Sequence, residues 1–520
     1  MLDKVVRSLK SAASIPAIEI AIQQKRREVH SLLSEHRVPR LAWLLIAVLF
    51  AWLLGPSMFA RGMFFDGVIY ATIARNMAAG IGDFWHPFYT NGQPHGFYDH
   101  PPLAFGLQAI LFHLLGDQYW VERVYSALTA PCMMAVICLL WRASNSRHHS
   151  PVGSWLPVLI WMTIPTWRWL YQNNLQENTL APLAALSVYA SWRLHNASGT
   201  RARLMWAGLA AATMLTAVLT KGPVGLFPAI TPLIAGICFR DRCGKVVVRN
   251  QLILLVLLGI MIGLLGSYEP ARAYFWTYSS QQLVGSLAGN RGALHGRLYL
   301  IERTVTGLSP AITLGILSWL WMRRRSKAAG VVPHIHQQTV WFFFLTAACA
   351  SFPLLISPRQ AAMYAAPSYP FYVLALTLVA APGCERLASK CAQWLAANRN
   401  DAIARLVLAS LLLLACAVSV SRSGTILRDA GPLHEAARIA RHVPTGSIVT
   451  WPNDLPVDWQ LEAYLFRLHQ ISLRPSPSPA ERYSLLPRSA PTLAEHDSSD
   501  KADSGRYELS TRAAGDTSQR

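Results

Sequence analysis

Two carboxylates lie where the sequence could use them for chemistry. Asp66 follows the first long apolar segment, and Glu177 begins the fourth. A carboxylate at the edge of a membrane can act as a general base or ligate a cation, and acidic residues at such boundaries are usually functional. A structural role is the alternative, because a side chain at the start of a helix can bind the unpaired amide groups of its first turn. At position 177, Asn178 or Thr179 would cap the helix equally well.

Basic residues at the predicted extracytoplasmic ends of apolar segments form a second group of candidates. Lys and Arg side chains bind anions through charge-assisted hydrogen bonds, although at span ends they also simply extend toward the lipid headgroups. The positive-inside rule does not account for cations on the outer side, which favours a functional role for two of them, Lys221 and Arg359. The remaining candidates are Arg291, Arg272 and Arg297.

Composition indicates a polytopic membrane protein. Of the 520 residues, 52% are hydrophobic and only 14% are charged, and the mean hydropathy is +0.28. Ordinary soluble domains are more polar than this. The formal net charge of +20 comes from Lys and Arg clusters that punctuate the apolar segments, so it describes topology, and no nucleic-acid partner is predicted.

Taking the basic clusters as cytoplasmic markers, the sequence predicts about eleven spans in an all-α domain of residues 41–420. Residues 1–40 are expected to form a basic cytoplasmic segment, without the pattern of a cleavable leader. Residues 102–115 are short for a span and are not counted. The N-terminus is thus predicted inside and the C-terminus outside. The spans are expected near residues 41–60, 122–141, 152–171, 179–195, 204–220, 222–239, 250–268, 304–322, 339–356, 361–380 and 402–420.

The predicted extracytoplasmic parts are where chemistry is expected. They include a long first loop, residues 61–101, and a small α/β segment, residues 421–474, with strand-like and helical periodicity. Residues 475–520 are rich in Ser, Pro, Asp and Arg and are expected to be disordered. The predicted outer parts contain no cysteine, so no disulfide is expected.

The first loop combines a predicted surface helix with an irregular aromatic stretch. Asp66 stands at the start of the helix, and residues 85–102 are crowded with Trp, Tyr, His, Gly and Pro. Long irregular loops of this kind are usually functional. Its aromatic side chains could stack on sugar rings or anchor the chain in the membrane interface. Within it, Asp99 is either a turn residue or a ligand, and His95 and His100 are either structural or contacts to a phosphate or a metal ion.

Several motifs together resemble the protein mannosyltransferase and aminoarabinose transferase superfamily, whose members have the GT-C fold. The first loop carries Asp66, Tyr70, an Ala-Arg-Asn-Met helix, Asn91-Gly92 and His100-Pro101-Pro102-Leu103. The resemblance covers roughly residues 41–380. Its remaining motifs are Gly116, Glu122-Arg123, Lys221-Gly222-Pro223, and the segment of residues 358–370 with Arg359, Tyr364 and Pro367.

This resemblance implies a bacterial inner-membrane enzyme that transfers a sugar from a polyprenyl-phosphate donor to a lipid or protein acceptor on the extracytoplasmic face, with inversion. It implies Asp66 as the general base and Glu177 as a second acidic residue. A divalent cation held by these two carboxylates is optional, and no other cofactor is expected. The implied donor-phosphate contacts are Lys221, Arg359, His100 and Arg291, and the implied acceptor or sugar contacts are Tyr70, Tyr98 and Tyr364.

The sequence departs from the superfamily at two positions and leaves two other functions open. Gly67 stands where many members have Glu, and His100 stands where many aminoarabinose transferases have Lys. A transporter or flippase of a lipid-linked sugar is the first alternative, although the halves of the chain show no internal symmetry. A non-catalytic member of the superfamily is the second. The sugar and the acceptor, whether lipopolysaccharide, another glycolipid or a protein, are not determined by the sequence.

Overall fold

The structure is a computed structural model that describes residues 37–92, 95–145, 152–284, 295–296, 298–329, 336–357, 360–396, 400–475, 481–487 and 505–511. Most of the predicted cytoplasmic segment of residues 1–40 lies outside these ranges. The helices up to residue 421 are α1 (Arg37–Met58), α2 (Phe65–Ala78), α3 (Leu103–Leu115), α4 (Val121–Asn145), α5 (Trp155–Met162), α6 (Pro165–Gln172), α7 (Glu177–His195), α8 (Thr200–Lys221), α9 (Thr231–Phe239), α10 (Gly244–Ser267), α11 (Glu269–Tyr278), α12 (Tyr299–Gly307), α13 (Ser309–Ala329), α14 (Gln337–Ser351), α15 (Tyr369–Ala396) and α16 (Asn400–Ser421).

Seven of the described helices are long and apolar enough to cross a membrane, or eight if α12 and α13, which meet at 55°, count as one span. Each of the eleven predicted spans overlaps a helix, but fewer meet the length criterion. The predicted span of residues 152–171 divides into α5 and α6, where Pro165 begins a new helix. Two other predicted spans share one helical stretch of 40 residues, Thr200–Phe239. The number eleven therefore stays a prediction.

Helix α3 is too short to span. Its 13 residues extend about 20 Å, whereas a hydrocarbon core is about 30 Å thick. Phe112 and Ala109 of α3 pack against Ala71 and Ala74 of α2. The two helices thus form one unit between the first two long helices.

Small residues bring the long helices close together. A Cβ atom added at Gly55 of α1 would overlap the Ser419 hydroxyl of α16, and one added at Gly383 of α15 would overlap Ser318 of α13. Such close backbone approaches are typical of helix packing in membranes, where van der Waals contact replaces the hydrophobic effect. Large apolar side chains such as Leu264 and Leu413 remain exposed on the outer surface, where lipid would surround them.

The C-terminal region folds into a small α/β domain. Helix α17 (Ala430–Ala440) and helix α18 (Trp459–His469) pack on a sheet of strand order β2-β1-β3-β4. β1 pairs in parallel with β2 and β3, whereas β3 and β4 are antiparallel. The strands are β1 (Ile448–Trp451), β2 (Ser472–Pro475), β3 (Tyr483–Pro487) and β4 (Tyr507–Thr511).

The expectation that residues 475–520 are disordered is wrong for two segments. β3 and β4 complete the sheet, and each contributes one buried side chain, Leu485 and Tyr507 respectively. Each strand is only five residues long, and the average composition of the tail, which is rich in Ser, Pro, Asp and Arg, hid these short segments. The predicted α/β segment therefore extends to residue 511.

Contacts between residues that are far apart in sequence join this domain to the first loop and its neighbouring helices. The Tyr464 hydroxyl accepts a hydrogen bond from the Met63 amide and donates to the Met63 carbonyl, both at 2.8 Å. Arg467 binds Asp117 at 2.6 Å and Glu122 at 3.2 Å, and Arg75 of α2 binds the other oxygen of Asp117 at 3.2 Å. The Arg467 and Glu122 side chains are buried, so each charge depends on the other.

Replacing Arg467 with Met should leave the buried Glu122 carboxylate without its cation and destabilise the protein by about 3 kcal/mol. Heat-induced unfolding in detergent, followed by circular dichroism, measures the effect. Arg506→Met is the control, since Arg506 forms a long, exposed ion pair of 4.0 Å with Asp458 that should contribute less than about 1 kcal/mol. Equal melting temperatures for the two variants would contradict this account of the buried pair.

Candidate active site

A cavity of about 920 Å³ opens where the first loop meets the long helices. The start of α2, residues 96–100, the start of α7 and the end of α8 form its walls. The segment after α11, residues 354–357, residues 361–367 and Trp459 of the C-terminal domain complete them. Each element that was predicted to lie on the outer face and that carries a described candidate residue reaches this one space. Helix α11 reaches it through Tyr278, although its candidate residue Arg272 does not.

The cavity collects most of the candidate residues. Arg272 and His95 do not line it, and Arg359, Arg291 and Arg297 lie outside the described residues. The candidates that line it are Asp66, Tyr70, Tyr98, Asp99, His100, Glu177, Lys221 and Tyr364.

Asp66 is not the N-cap of its helix. The N-cap position of α2 is Phe64, and Asp66 lies within the first turn, facing the cavity. The backbone before it is held on both sides: the Phe64 amide donates to the Asn173 side chain at 2.7 Å, and Tyr464 holds Met63. The capping explanation therefore does not account for this carboxylate, whose position is fixed by contacts from two other parts of the chain.

Gly67 is required by the packing of α2 against the turn before α7. A Cβ atom at position 67 would overlap the backbone oxygen of Asn173 and come within 2.7 Å of the Met63 sulfur. Asn174 in turn donates a hydrogen bond to the Gly67 carbonyl at 3.1 Å. This chain thus has no room for the Glu that many superfamily members carry here, and the departure has a local structural cause.

Glu177 and Lys221 form a buried ion pair at the cavity wall. The Lys221 ammonium donates to Glu177 Oε1, and the two side chains are 13% and 2% exposed. The Tyr364 ring lies 5.0 Å from the ammonium, within the range of a cation–π contact. Glu177 is the first residue of α7, and the N-cap position is Gln176. The Glu177 carboxylate therefore pairs with Lys221 and does not cap the helix.

Gly222 explains why a lysine–glycine pair occurs at this point. Lys221 is the last residue of α8, and Gly222 follows with a positive φ of 70°, which ends the helix. A Cβ atom at this position would also overlap the Tyr278 hydroxyl. The glycine thus lets the chain turn directly beside the ammonium group while Tyr278 closes the cavity wall.

Tyr70 is a neutral donor among the acidic groups. Burial raises the pKa of its hydroxyl well above the usual range, and the nearby carboxylates of Asp66 and Glu177 raise it further. The hydroxyl therefore keeps its proton at any physiological pH. It can donate a hydrogen bond to a ligand oxygen but cannot act as a base.

The loop that follows α10, which was predicted to lie on the outer face, contacts the first loop, an interaction that sequence patterns did not predict. The Tyr274 hydroxyl of α11 donates to the His100 carbonyl at 2.6 Å. The Gln282 side chain, in a π-helical turn of Ser279–Val284, donates to the Asp99 carboxylate. Such turns are frequent at functional sites. The contact with Gln282 therefore holds the Asp99 carboxylate at the cavity wall.

Trp459 is a further cavity residue that sequence analysis missed. It begins α18 in the C-terminal domain, and its side chain remains 47% exposed. The preceding Asp458 caps the helix by accepting from the Gln460 and Leu461 amides, and it also accepts from the Tyr507 hydroxyl at 2.9 Å. No sequence signal placed this ring beside the first loop, because its neighbours there are almost 400 residues away.

The described residues do not make a recognisable metal site. They contain no group of three or more His, Cys, Asp or Glu side chains arranged to hold an ion. Glu177 also has one carboxylate oxygen occupied by Lys221. A divalent cation held by Asp66 and Glu177 therefore stays a prediction.

Comparisons with known proteins give the fold. No protein-family model and no curated protein sequence matches this chain. The crystal structure of ArnT from Cupriavidus metallidurans bound to undecaprenyl phosphate matches with a TM-score of 0.55 at 18% identity, over 83% of this chain and 85% of that one. Its apo form matches with a TM-score of 0.51, at 18% identity over 83% and 84%. The apo oligosaccharyltransferase of Archaeoglobus fulgidus matches with a TM-score of 0.50, at 12% identity over 85% and 69%. These proteins have the GT-C fold, which confirms the predicted fold class.

Replacing Gly67 with Ala should displace the start of α2, because the added methyl group overlaps the backbone of Asn173 rather than a mobile side chain. We expect a loss of stability of about 1–3 kcal/mol, the usual range for overpacking, measured by heat-induced unfolding in detergent. Gly208→Ala in α8 is the matched control, since it has open space around it and should be neutral or slightly stabilising. If Gly67→Ala is as stable as the control, the close packing described here is wrong.

Proposed function

We propose that this chain is an extracytoplasmic glycosyltransferase of the bacterial inner membrane. In this proposal it moves a sugar from a polyprenyl-phosphate donor to an envelope acceptor. The observation that carries the proposal is the gathering of Asp66 and the Glu177–Lys221 pair in one cavity of a GT-C fold. A solved structure with this fold is bound to undecaprenyl phosphate. With the basic clusters inside, the N-terminus is cytoplasmic and the C-terminal domain extracytoplasmic.

The proposed reaction is a single displacement. An acceptor hydroxyl attacks the anomeric carbon, the bond from that carbon to the phosphate oxygen breaks, and its electron pair leaves with the phosphate. Asp66 takes the hydroxyl proton as the new bond forms. Attack from the side opposite the leaving group inverts the anomeric carbon.

Lys221 is the proposed electrostatic partner of the leaving phosphate. Its ammonium lies at the cavity wall, where it can balance the negative charge that develops on the phosphate oxygen. Glu177 and the Tyr364 ring hold it in place before the donor binds. His100, Arg359 and Arg291 are the further proposed phosphate contacts, and the neutral Tyr70 hydroxyl is proposed to donate a hydrogen bond to the sugar or the acceptor.

The acceptor is proposed to enter between the first loop and the C-terminal domain. Phe64, Phe65 and Trp459 form this side of the cavity next to Asp66. Aromatic faces suit a sugar ring or a lipid chain. Tyr98 and Tyr364 are the remaining proposed sugar contacts. A lipopolysaccharide, another glycolipid or a protein could each bind here, and mass spectrometry of lipid and glycoprotein extracts distinguishes these acceptors.

The positions of the charged residues favour transfer over transport. A transporter places ionisable groups near the middle of its spans, often at interrupted helices of two related halves. Here Asp66 is in the first turn of its helix, Glu177 is the first residue of its helix and Lys221 is the last. The charges therefore line a cavity at the helix ends rather than a path across the membrane.

Replacing Asp66 with Asn should abolish transfer while leaving the protein in the membrane, because the amide cannot accept the acceptor proton. A deletion strain complemented with wild type or Asp66→Asn is compared by mass spectrometry of lipid and glycoprotein extracts. The mass difference that only wild type restores identifies the sugar and its acceptor. Asp83→Asn is the control, since Asp83 is an exposed loop carboxylate paired with His86 outside the cavity.

A normal product profile in the Asp66→Asn strain would show that Asp66 is not the base. An unchanged profile in the deletion strain itself would instead contradict the glycosyltransferase assignment. Accumulation of an unused lipid-linked sugar on the inner face would favour the flippase alternative.

Replacing Lys221 with Met should lower the transfer rate by roughly 100-fold or more, the usual effect of removing one preorganised charge donor at a transition state. Purified enzyme with a labelled polyprenyl-phosphate donor measures the rate. Lys390→Gln removes an exposed lysine from the predicted cytoplasmic side and should leave the rate unchanged. A rate near wild type for Lys221→Met would mean that Lys221 serves only to balance Glu177.

A further inference from the structure

A second concave surface lies on the outside of the helical domain, between α8 and α10. It has a volume of about 600 Å³ and shares no lining residue with the candidate active site. Leu204 of α8 forms one wall, and apolar side chains of α10 form the other. Two basic residues, Lys245 and Arg249, occupy one end.

The groove combines an apolar stripe with a basic end on one helix face. Lys245, Arg249, Leu252 and Val256 follow each other at intervals of four, three and four residues, which places them in a row along α10. The rise from Lys245 to Val256 is about 17 Å. This is close to half of the roughly 30 Å hydrocarbon core, so the groove has the length of one membrane leaflet.

The two cations have no ion-pair partner among the residues that the structure describes. Both side chains are exposed, and in the part of the chain that the structure describes neither forms an ion pair. The nearby Asp241 is already bound by His195 at 3.0 Å. Two adjacent positive charges at headgroup depth therefore favour an anionic ligand. The apolar stripe beneath them favours a ligand with a hydrocarbon chain.

We propose that this groove binds a diacyl phospholipid with an anionic headgroup from the cytoplasmic leaflet. Lys245 and Arg249 contact the phosphate, and an acyl chain lies along Leu252 and Val256. A zwitterionic phospholipid could use the same apolar wall. Its headgroup has no net charge, however, and gains little from two unpaired cations.

Native mass spectrometry of the purified full-length protein tests this proposal. The probe is an equimolar mixture of phosphatidylglycerol and phosphatidylcholine with identical acyl chains. Wild type should retain phosphatidylglycerol roughly tenfold over phosphatidylcholine, as expected for two basic contacts to an anionic headgroup. The double variant K245Q/R249Q should bring the ratio close to one.

The double variant R386Q/K390Q is the matched control. It removes two exposed cations with the same four-residue spacing from α15, which does not line the groove, and it should keep the wild-type ratio. An equal ratio in wild type, or an unchanged preference in K245Q/R249Q, would overturn the proposal. Displacement of the lipid by millimolar inorganic phosphate would also overturn it, because the acyl contact would then contribute nothing.

Discussion

The Glu177–Lys221 pair is the interaction on which the candidate site depends. Lys221 has little solvent around it, and the Glu177 carboxylate lies against its ammonium group. A buried charge is costly unless an opposite charge is paired with it. The pair also joins the start of α7 to the end of α8, so the same contact that stabilises the charge fixes the cavity wall. In the proposed reaction, the donor phosphate would meet a cation that is already oriented and has lost most of its hydration. Such preorganisation is the main physical advantage that a protein site has over water.

The carboxylate opposite this pair is positioned by different means. Asp66 follows a short stretch held by Asn173 on one side and by Tyr464 of the C-terminal domain on the other. Gly67 then allows α2 to lie directly on the backbone of Asn173. The two halves of the site thus belong to different structural layers. The cation is part of the helical domain, whereas the carboxylate lies between that domain and the α/β domain outside it.

The sequence predicted the residues of the cavity better than the contacts among them. Motif resemblance identified Asp66, Glu177 and Lys221, and all three line one space. It could not predict that Glu177 binds Lys221, that Gln282 binds Asp99 or that Trp459 reaches the first loop, because these residues are far apart in sequence and no periodicity connects them. The Glu122-Arg123 motif was identified only by its resemblance to the superfamily, and in the structure it contributes to packing. Glu122 forms an ion pair with Arg467, and Arg123 donates a hydrogen bond to the Gln172 carbonyl. Strands β3 and β4 were not predicted because each is only five residues long and the residues around them are rich in Ser, Pro, Asp and Arg.

The link between Met63 and Tyr464 also sets an order of events during synthesis. The two residues are 401 positions apart, and chains grow at about 5–20 residues per second, so roughly 20–80 s separate their appearance. During that interval the first loop has been made, and its carboxylate cannot yet be held in its final position. The helical domain can therefore pack while the candidate site remains incomplete. The site is complete only once the C-terminal domain has docked on the first loop.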